Sequence, residues 1–234
     1  MQQTFVKFTL PAGTYIHANE MREAVAKGLD GQMFQSKPGL FNYLTETKTN
    51  CNRPENRFIG GLGWVGFVSD NDPLMTTQVV APAISFLMGK GFSPDTRVGE
   101  KDKRAVLTDE PNVYRLTGLI DQRDKRRESE TGVVESAADL VKRHVIAMFE
   151  DAFDKGVIDS PFTDDDLNIM VLESRRSGES VKFRNGGQKA VAKVRATFAM
   201  QVRLEGIWQA GHLQSRGYGL VYFVNKGKHT QCPI

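Results

Sequence analysis

Residues 202–224 read VRLEGIWQAGHLQSRGYGLVYFV. Two apolar, strand-like runs flank Ala-Gly-His-Leu-Gln-Ser-Arg-Gly-Tyr-Gly, a stretch of small residues, glycines and one arginine. Gly206, Gly211, Gly217 and Gly219 remove side chains where a backbone must come close to something. Arg216 lies among them, and the N–H groups of such a turn form an anion-binding nest. A glycine-rich hairpin loop without a ligand leaves the same pattern. Upstream, Lys182, Arg184, Lys189, Lys193, Arg195 and Arg203 alternate with apolar residues. On a strand that alternation gathers the basic side chains on one face. A one-sided basic strand feeding a glycine–arginine loop points toward nucleic acid.

Further basic residues bunch at Lys101, Lys103 and Arg104, and at Arg123, Lys125, Arg126 and Arg127. Acidic neighbours soften that signal, since such runs are commonly solvated faces. Net charge is only +3 over 234 residues, so distribution matters more than the total. Cys51 and Cys232 are far apart and suggest neither a disulfide framework nor a zinc site. The N-terminus shows no secretion signal and no apolar run is of membrane-spanning length, so a cytoplasmic protein without a membrane partner is expected.

The coarse element reading is strand–helix–strands, twice. "TFVKFTL" (4–10) reads as a strand. A helix capped by Asn19 follows and stops at Gly31. A short strand is expected near "LFNYLT" (40–45), a strand or hairpin edge at "RFIGGLGWVGFVSD" (57–70), and a helix interrupted near Pro82. Ser136 caps the clearest helix, whose apolar stripe is Leu140, Val141, Val145, Met148, Phe149 and Phe153. Three strands complete the chain. The fold class expected is α+β, with tandem ferredoxin-like, RNA-recognition-motif-like domains. The division is residues 1–90, a basic insertion over 91–135 that forms a loop or a short helical excursion on the surface, and 136–234 with the glycine-rich loop.

Gly61-Leu62-Gly63-Trp64-Val65-Gly66 matches G-x-G-x-x-G, but "FVSDNDP" after it cannot open a helix, so the dinucleotide reading is rejected. No other nucleotide or hydrolase motif is present. His17, His144, His212 and His229 are scattered without metal-ligand spacing, so no metal and no cofactor are expected. His17 falls between a strand end and a helix start, beside Tyr15 and ahead of Arg22. Catalytic groups often occupy such a rim, and a capping or surface histidine fits there equally.

"VAKVRATFAMQVRLEGIWQAGHLQSRGYGLVYF" resembles the C-terminal glycine-rich loop of the repeat-associated RNA-binding superfamily of CRISPR systems. The first strand with "YIHANEMREAVAKGL" resembles the start of its RNA-processing branch, and "RPENRFIGGLGWVGF" with the basic region is most similar to the type IV processing endoribonuclease. The resemblance implies a metal-independent endoribonuclease that cuts the CRISPR repeat RNA hairpin and stays with the guide RNA beside other CRISPR effector subunits. It implies 2′-hydroxyl attack leaving a 2′,3′-cyclic phosphate, which needs a base, an acid and cations. On that reading His17 is base or acid, with His212 the second choice, Tyr15 beside it and Arg22 holding the phosphate. Lys103, Arg104, Arg123, Arg126, Arg127, Lys182, Arg184, Lys193, Arg195 and Arg203 contact RNA, and Gly211, Arg216, Gly217 and Gly219 grip its backbone. A non-catalytic guide-binding subunit shares the loop and basic strand. A small-molecule enzyme of the same fold is the reading outside nucleic acids.

Overall fold

The computed structural model describes residues 1–29, 54–70, 72–122, 124–182 and 187–224, with the side chains of 124–127 and 182 outside that description. The expected strand at 40–45, the Gly31 stop, Cys51, Arg123, Arg184, His229 and Cys232 lie outside the described residues, as do the side chains of Arg126, Arg127 and Lys182.

The first unit runs β1 (Gln2–Thr9), α1 (Ala18–Gly28), β2 (Asn56–Gly61), β3 (Trp64–Asp70), α2 (Pro73–Gly89) and β4 (Asp95–Asp102). Its strands pair antiparallel in the order β2-β3-β1-β4, the β-α-β-β-α-β ferredoxin pattern. Alternation in β1 sorts its side chains. Val6 and Phe8 join Met21 and Val25 of α1 and Val79, Ala83 and Leu87 of α2, whereas Phe5 faces the other way. Each fully buried apolar side chain of this kind contributes roughly 1.5–3 kcal/mol.

The second unit runs β5 (Arg104–Asp121), α3 (Asp124–Thr131), α4 (Ala137–Asp154), α5 (Asp164–Leu167), β6 (Met170–Lys182), β7 (Gln188–Glu205), β8 (Trp208–Gln209), a 3-10 turn (Gln214–Arg216) and β9 (Leu220–Phe223). The sheet order is β6-β7-β5-β9-β8, antiparallel throughout. It repeats the first sheet's order, with β9, β5, β7 and β6 in the places of β4, β1, β3 and β2. β8 is added at the edge, and the connection before β9 differs. Where the first unit has α2, the second has the glycine-rich stretch 206–219.

Several expectations change. Residues 95–121, expected within a surface insertion, form β4 and β5, and the break between the two sheets falls at Lys103. β4 and the first half of β5 hold no buried residue, so no packed face imposes an apolar alternation on them. Among the described residues of the 91–135 region only α3 is helical. His17, not Asn19, caps α1. α2 runs through Pro82 unbroken. Gly28 lets α1 approach that proline, since a Cβ there would lie 3.0 Å from Pro82 Cβ. Ser136 does cap α4, accepting from the Asp139 N–H at 3.1 Å, but Phe153 ends the apolar stripe 41% exposed. Gly61-Leu62-Gly63 is the β2–β3 hairpin turn, with Gly63 at φ +78°.

The two sheets meet face to face through Phe5, Ile59, Trp64 and Val68 of the first and Ile207, Leu220 and Tyr222 of the second. A buried polar cluster seals the junction. Arg57 grips Asp70 with two bonds, 2.6 and 2.7 Å. Gln3 donates to Asp70 at 2.7 Å and accepts from the Ile207 N–H at 2.7 Å, so β1 holds the chain that leaves β7. Lys103 lies 3.7 Å from Asp70. Burial alone would raise the Asp70 pKa, but Arg57, Lys103 and Gln3 hold it well below the usual carboxylate range. Gly206, at φ +80°, keeps the junction closed, because a Cβ there would come 2.7 Å from Gln3 Oε1. Among the described residues no helix is long and apolar enough to cross a membrane.

Candidate nucleic-acid interface

Away from the Leu220–Tyr222 contact the sheets part and leave a cleft of about 870 Å³. One wall is Tyr15, His17 and the β2–β3 hairpin at Gly60, Gly61, Leu62 and Trp64. The other is the open face of the second sheet. Arg115 of β5, Arg175 and Glu173 of β6, and Lys193, Arg195 and Thr197 of β7 line it. Strand pairing places these side by side, with Arg175 opposite Arg195 and Arg115 opposite Thr197.

His17 begins α1. Its carbonyl accepts the Glu20 and Met21 N–H groups, and its ring Nδ1 accepts the Asn19 N–H at 3.1 Å. The ring stands 5.4 Å from the Tyr218 ring and 6.3 Å, edge on, from that of Tyr15. Desolvation, then nearby Lys193, push the His17 pKa below its ordinary value, against the opposing pull of Glu179, Glu20 and Glu23. Tyr218 is supplied by the glycine-rich stretch. Its hydroxyl bonds Glu179, and burial, helped by Glu179 and Tyr15, pushes its pKa up to about 12. Glu179 also holds the Lys193 ammonium at 2.6 Å, and that ammonium lies 5.7 Å from the centre of the Tyr218 ring. Tyr15 is 62% exposed at the rim, bridged through its backbone to Leu62. Burial raises its pKa, with Arg195 opposing.

Gly217 accounts for the approach of loop and helix. At φ +87° a Cβ would come 2.5 Å from Ala18 Cβ and 3.1 Å from the Phe58 carbonyl. The next residue is therefore delivered beside His17. Gly211 and Gly219 are likewise filled by protein: a Cβ would meet Ile120 O at 2.9 Å and Ala210 O at 1.8 Å. All three glycines make room for this chain's own backbone.

His17, Tyr15, Lys193, Arg195 and Gly217 are thus brought to one cleft. Other expected site residues are not. Arg22 is buried on α1 and is not among the described residues of the cleft wall. Lys103 is buried at the junction, 4.8 Å from the Trp208 ring centre. Arg203 is roughly 26 Å along β7 from Arg195, beside Arg104, and both pair with Glu205. His212 turns away as well. Its N–H donates to Ile120 O at 2.8 Å, and its Nδ1 accepts from the Gln122 N–H at 3.0 Å. It forms a group with Asp121 and His144, ligand-type atoms all within 4.8 Å of one another, a spacing able to hold a metal ion. Arg143 bonds Asp121 at 2.7 Å, and the His212 ring lies 5.2 Å, edge on, from that of His144, so the group also pins the loop against β5 and α4. Tyr218, Glu179, Arg175 and Arg115 were missed as site residues. Alternation along β7 could have suggested Arg175 as a cross-strand neighbour. No local signal marks the other three.

The family model for the type IV CRISPR-associated endonuclease Csf5 matches residues 1–226. The chain belongs to this family. A solved Csf5, described as a CRISPR-Cas type IV Cas6 crRNA endonuclease, is 21% identical, with TM-score 0.81 over 96% of this chain and 100% of that one. Two Cas6b structures have the same fold: one at 13% identity and TM-score 0.61, the other, a CRISPR RNA processing endoribonuclease, at 14% and 0.56, each covering 96% of this chain and 100% of its own. No curated protein matches. In this type IV endonuclease the tandem ferredoxin-like fold is as expected from the element order.

Proposed function

We propose that this chain cuts CRISPR repeat RNA in the inter-sheet cleft, without a metal ion, and stays with the guide RNA as part of an effector complex. The observation that carries the reading is the cleft itself. Four cations, Arg115, Arg175, Lys193 and Arg195, share it with an imidazole fixed at a helix start. Arg195 is exposed and the wall is the open face of a sheet, a surface on which an RNA backbone can lie. In the reaction the 2′-oxygen attacks the adjacent phosphorus and loses its proton. The bond from phosphorus to the 5′-oxygen breaks, and that oxygen gains a proton. The products are a 2′,3′-cyclic phosphate and a 5′-hydroxyl. The arginines supply positive charge for the phosphorane, and His17 places its ring at the reacting phosphate. Arg126 and Arg127 of α3, directly after β5, would act as the finger on the RNA stem, and Arg216 flanks the cleft residue Gly217.

The test is cleavage of an end-labelled repeat hairpin in EDTA by wild type and His17→Ala. A single cut with a cyclic phosphate end, reduced about 10²–10³-fold in the variant at unchanged RNA affinity, supports the reading. Tight binding with no cut makes the protein a guide-binding subunit instead.

A further inference from the structure

We propose that His17 serves the reaction as a neutral hydrogen-bond donor through Nε2, locked in that tautomer by the cap it makes to its own helix, and takes no part in proton transfer. This rests on the cleavage function proposed above and names the role of one residue in it.

The argument starts at Nδ1. That nitrogen accepts the Asn19 N–H, and an accepting ring nitrogen carries no proton. A neutral ring so held bears its proton on Nε2. The geometry around it is fixed. His17 has the extended φ −69°, ψ 131° of a helix cap, and its carbonyl accepts the next two N–H groups of the first turn. The rings of Tyr218 and Tyr15 both pack near it, with centroids 5.4 and 6.3 Å away.

A general base needs a lone pair at Nε2, and that tautomer would set two N–H groups against each other at Asn19. A general acid starts as imidazolium, which also protonates Nδ1 and breaks the same bond. The positive end of α1 opposes the cation further. The charged groups facing His17 are Lys193 of β7, Glu179 of β6, and Glu20 and Glu23 of α1, with the hydroxyls of Tyr15 and Tyr218 nearby. Glu179 is already committed to Lys193 and to the Tyr218 hydroxyl. Desolvation and Lys193 together lower the His17 pKa despite the three carboxylates. A neutral imidazole can give up its Nε2 proton only as imidazolate, which is inaccessible near neutral pH. What remains is a donor aimed at developing negative charge, the role of an oxyanion-hole group. The two proton movements of the reaction then pass through water or other cleft groups.

Long-range proton–nitrogen NMR of the full chain reads the tautomer directly, with the His17 signals assigned by their loss in His17→Gln. The expected result at pH 7.5 is a neutral ring protonated at Nε2, with its titration midpoint below the ordinary 6.5. In cleavage, His17→Gln restores an N–H donor without titrating. It should cut at least ten-fold faster than His17→Ala when both melt at the same temperature. A ring protonated at Nδ1 or charged at pH 7.5 overturns the proposal, as does a glutamine variant no better than alanine. If wild type does not cut repeat RNA at all, the proposed function fails, while the spectrum still decides whether His17 is held as a donor.

Discussion

Two clusters of charge lie between the same two sheets, and they differ in one respect. At the junction, Arg57 and Lys103 share Asp70, and Gln3 completes its coordination inside a closed core. In the cleft, Lys193 has Glu179, and Arg115, Arg175 and Arg195 line an open wall together with Glu173. The first is shut away from water, with Arg57 and Lys103 both buried. The second is open to solvent, which is what a polyanion requires. A basic residue between two sheets therefore says nothing until its burial is known.

The sharpest way to break the comparison is Asp70→Asn. It strands Arg57 and Lys103 in the core, and loss of one partner of a buried pair costs about 3–5 kcal/mol. Denaturant unfolding should show that loss. An acid titration should show the same carboxylate at work, since its pKa is depressed on folding. Its stabilisation is present above the ordinary 3.8 and lost as pH falls below it.

Arg175→Ala with Arg195→Ala should leave stability within about 0.5 kcal/mol, as expected of changes away from the core. RNA affinity should fall, and the slope of log affinity against log salt should flatten by about one per arginine. Unchanged salt dependence would move the RNA off this face.

Gly217→Ala separates packing from RNA contact. The strained φ and the clash with Ala18 should lower stability by about 1–3 kcal/mol, and cleavage should fall more than affinity because Tyr218 is displaced from His17. If affinity falls while stability holds, the glycine serves RNA directly.

For RNA binding the smallest effect is expected from Lys103→Met. Burial pushes the Lys103 pKa down to about 8. Keeping it charged opposes folding below that pH, and the penalty eases as pH rises toward the ordinary 10.5. This group therefore makes stability climb over that interval, and methionine should remove the climb while leaving RNA affinity unchanged.

Much of the fold was legible because it is written in short-range periodicity. Alternation marked β1 and β7, the stripe from Leu140 to Phe149 marked α4, and element order pointed to two ferredoxin-like units. β4 and the first half of β5 were not legible, because they hold no buried residue and so have no packed face to write a period of two. Of the candidate residues named from the sequence, His17, Tyr15, Lys193 and Arg195 line the cleft. Tyr218 and Glu179 were not, since nothing local links residues that meet only through a strand crossing and a glycine turn.

By itself the sequence determined the helix faces, the basic alternation of β7 and the need for glycine between β7 and β9. Only the tertiary structure decided which cations reach the cleft. Lys103 and Lys193 look alike in the chain. One meets Asp70 in a dry junction and the other meets Glu179 beside an open cleft. The physical reason is that a charge's role is set by its partners and its solvent, and both are assembled from residues distant in sequence.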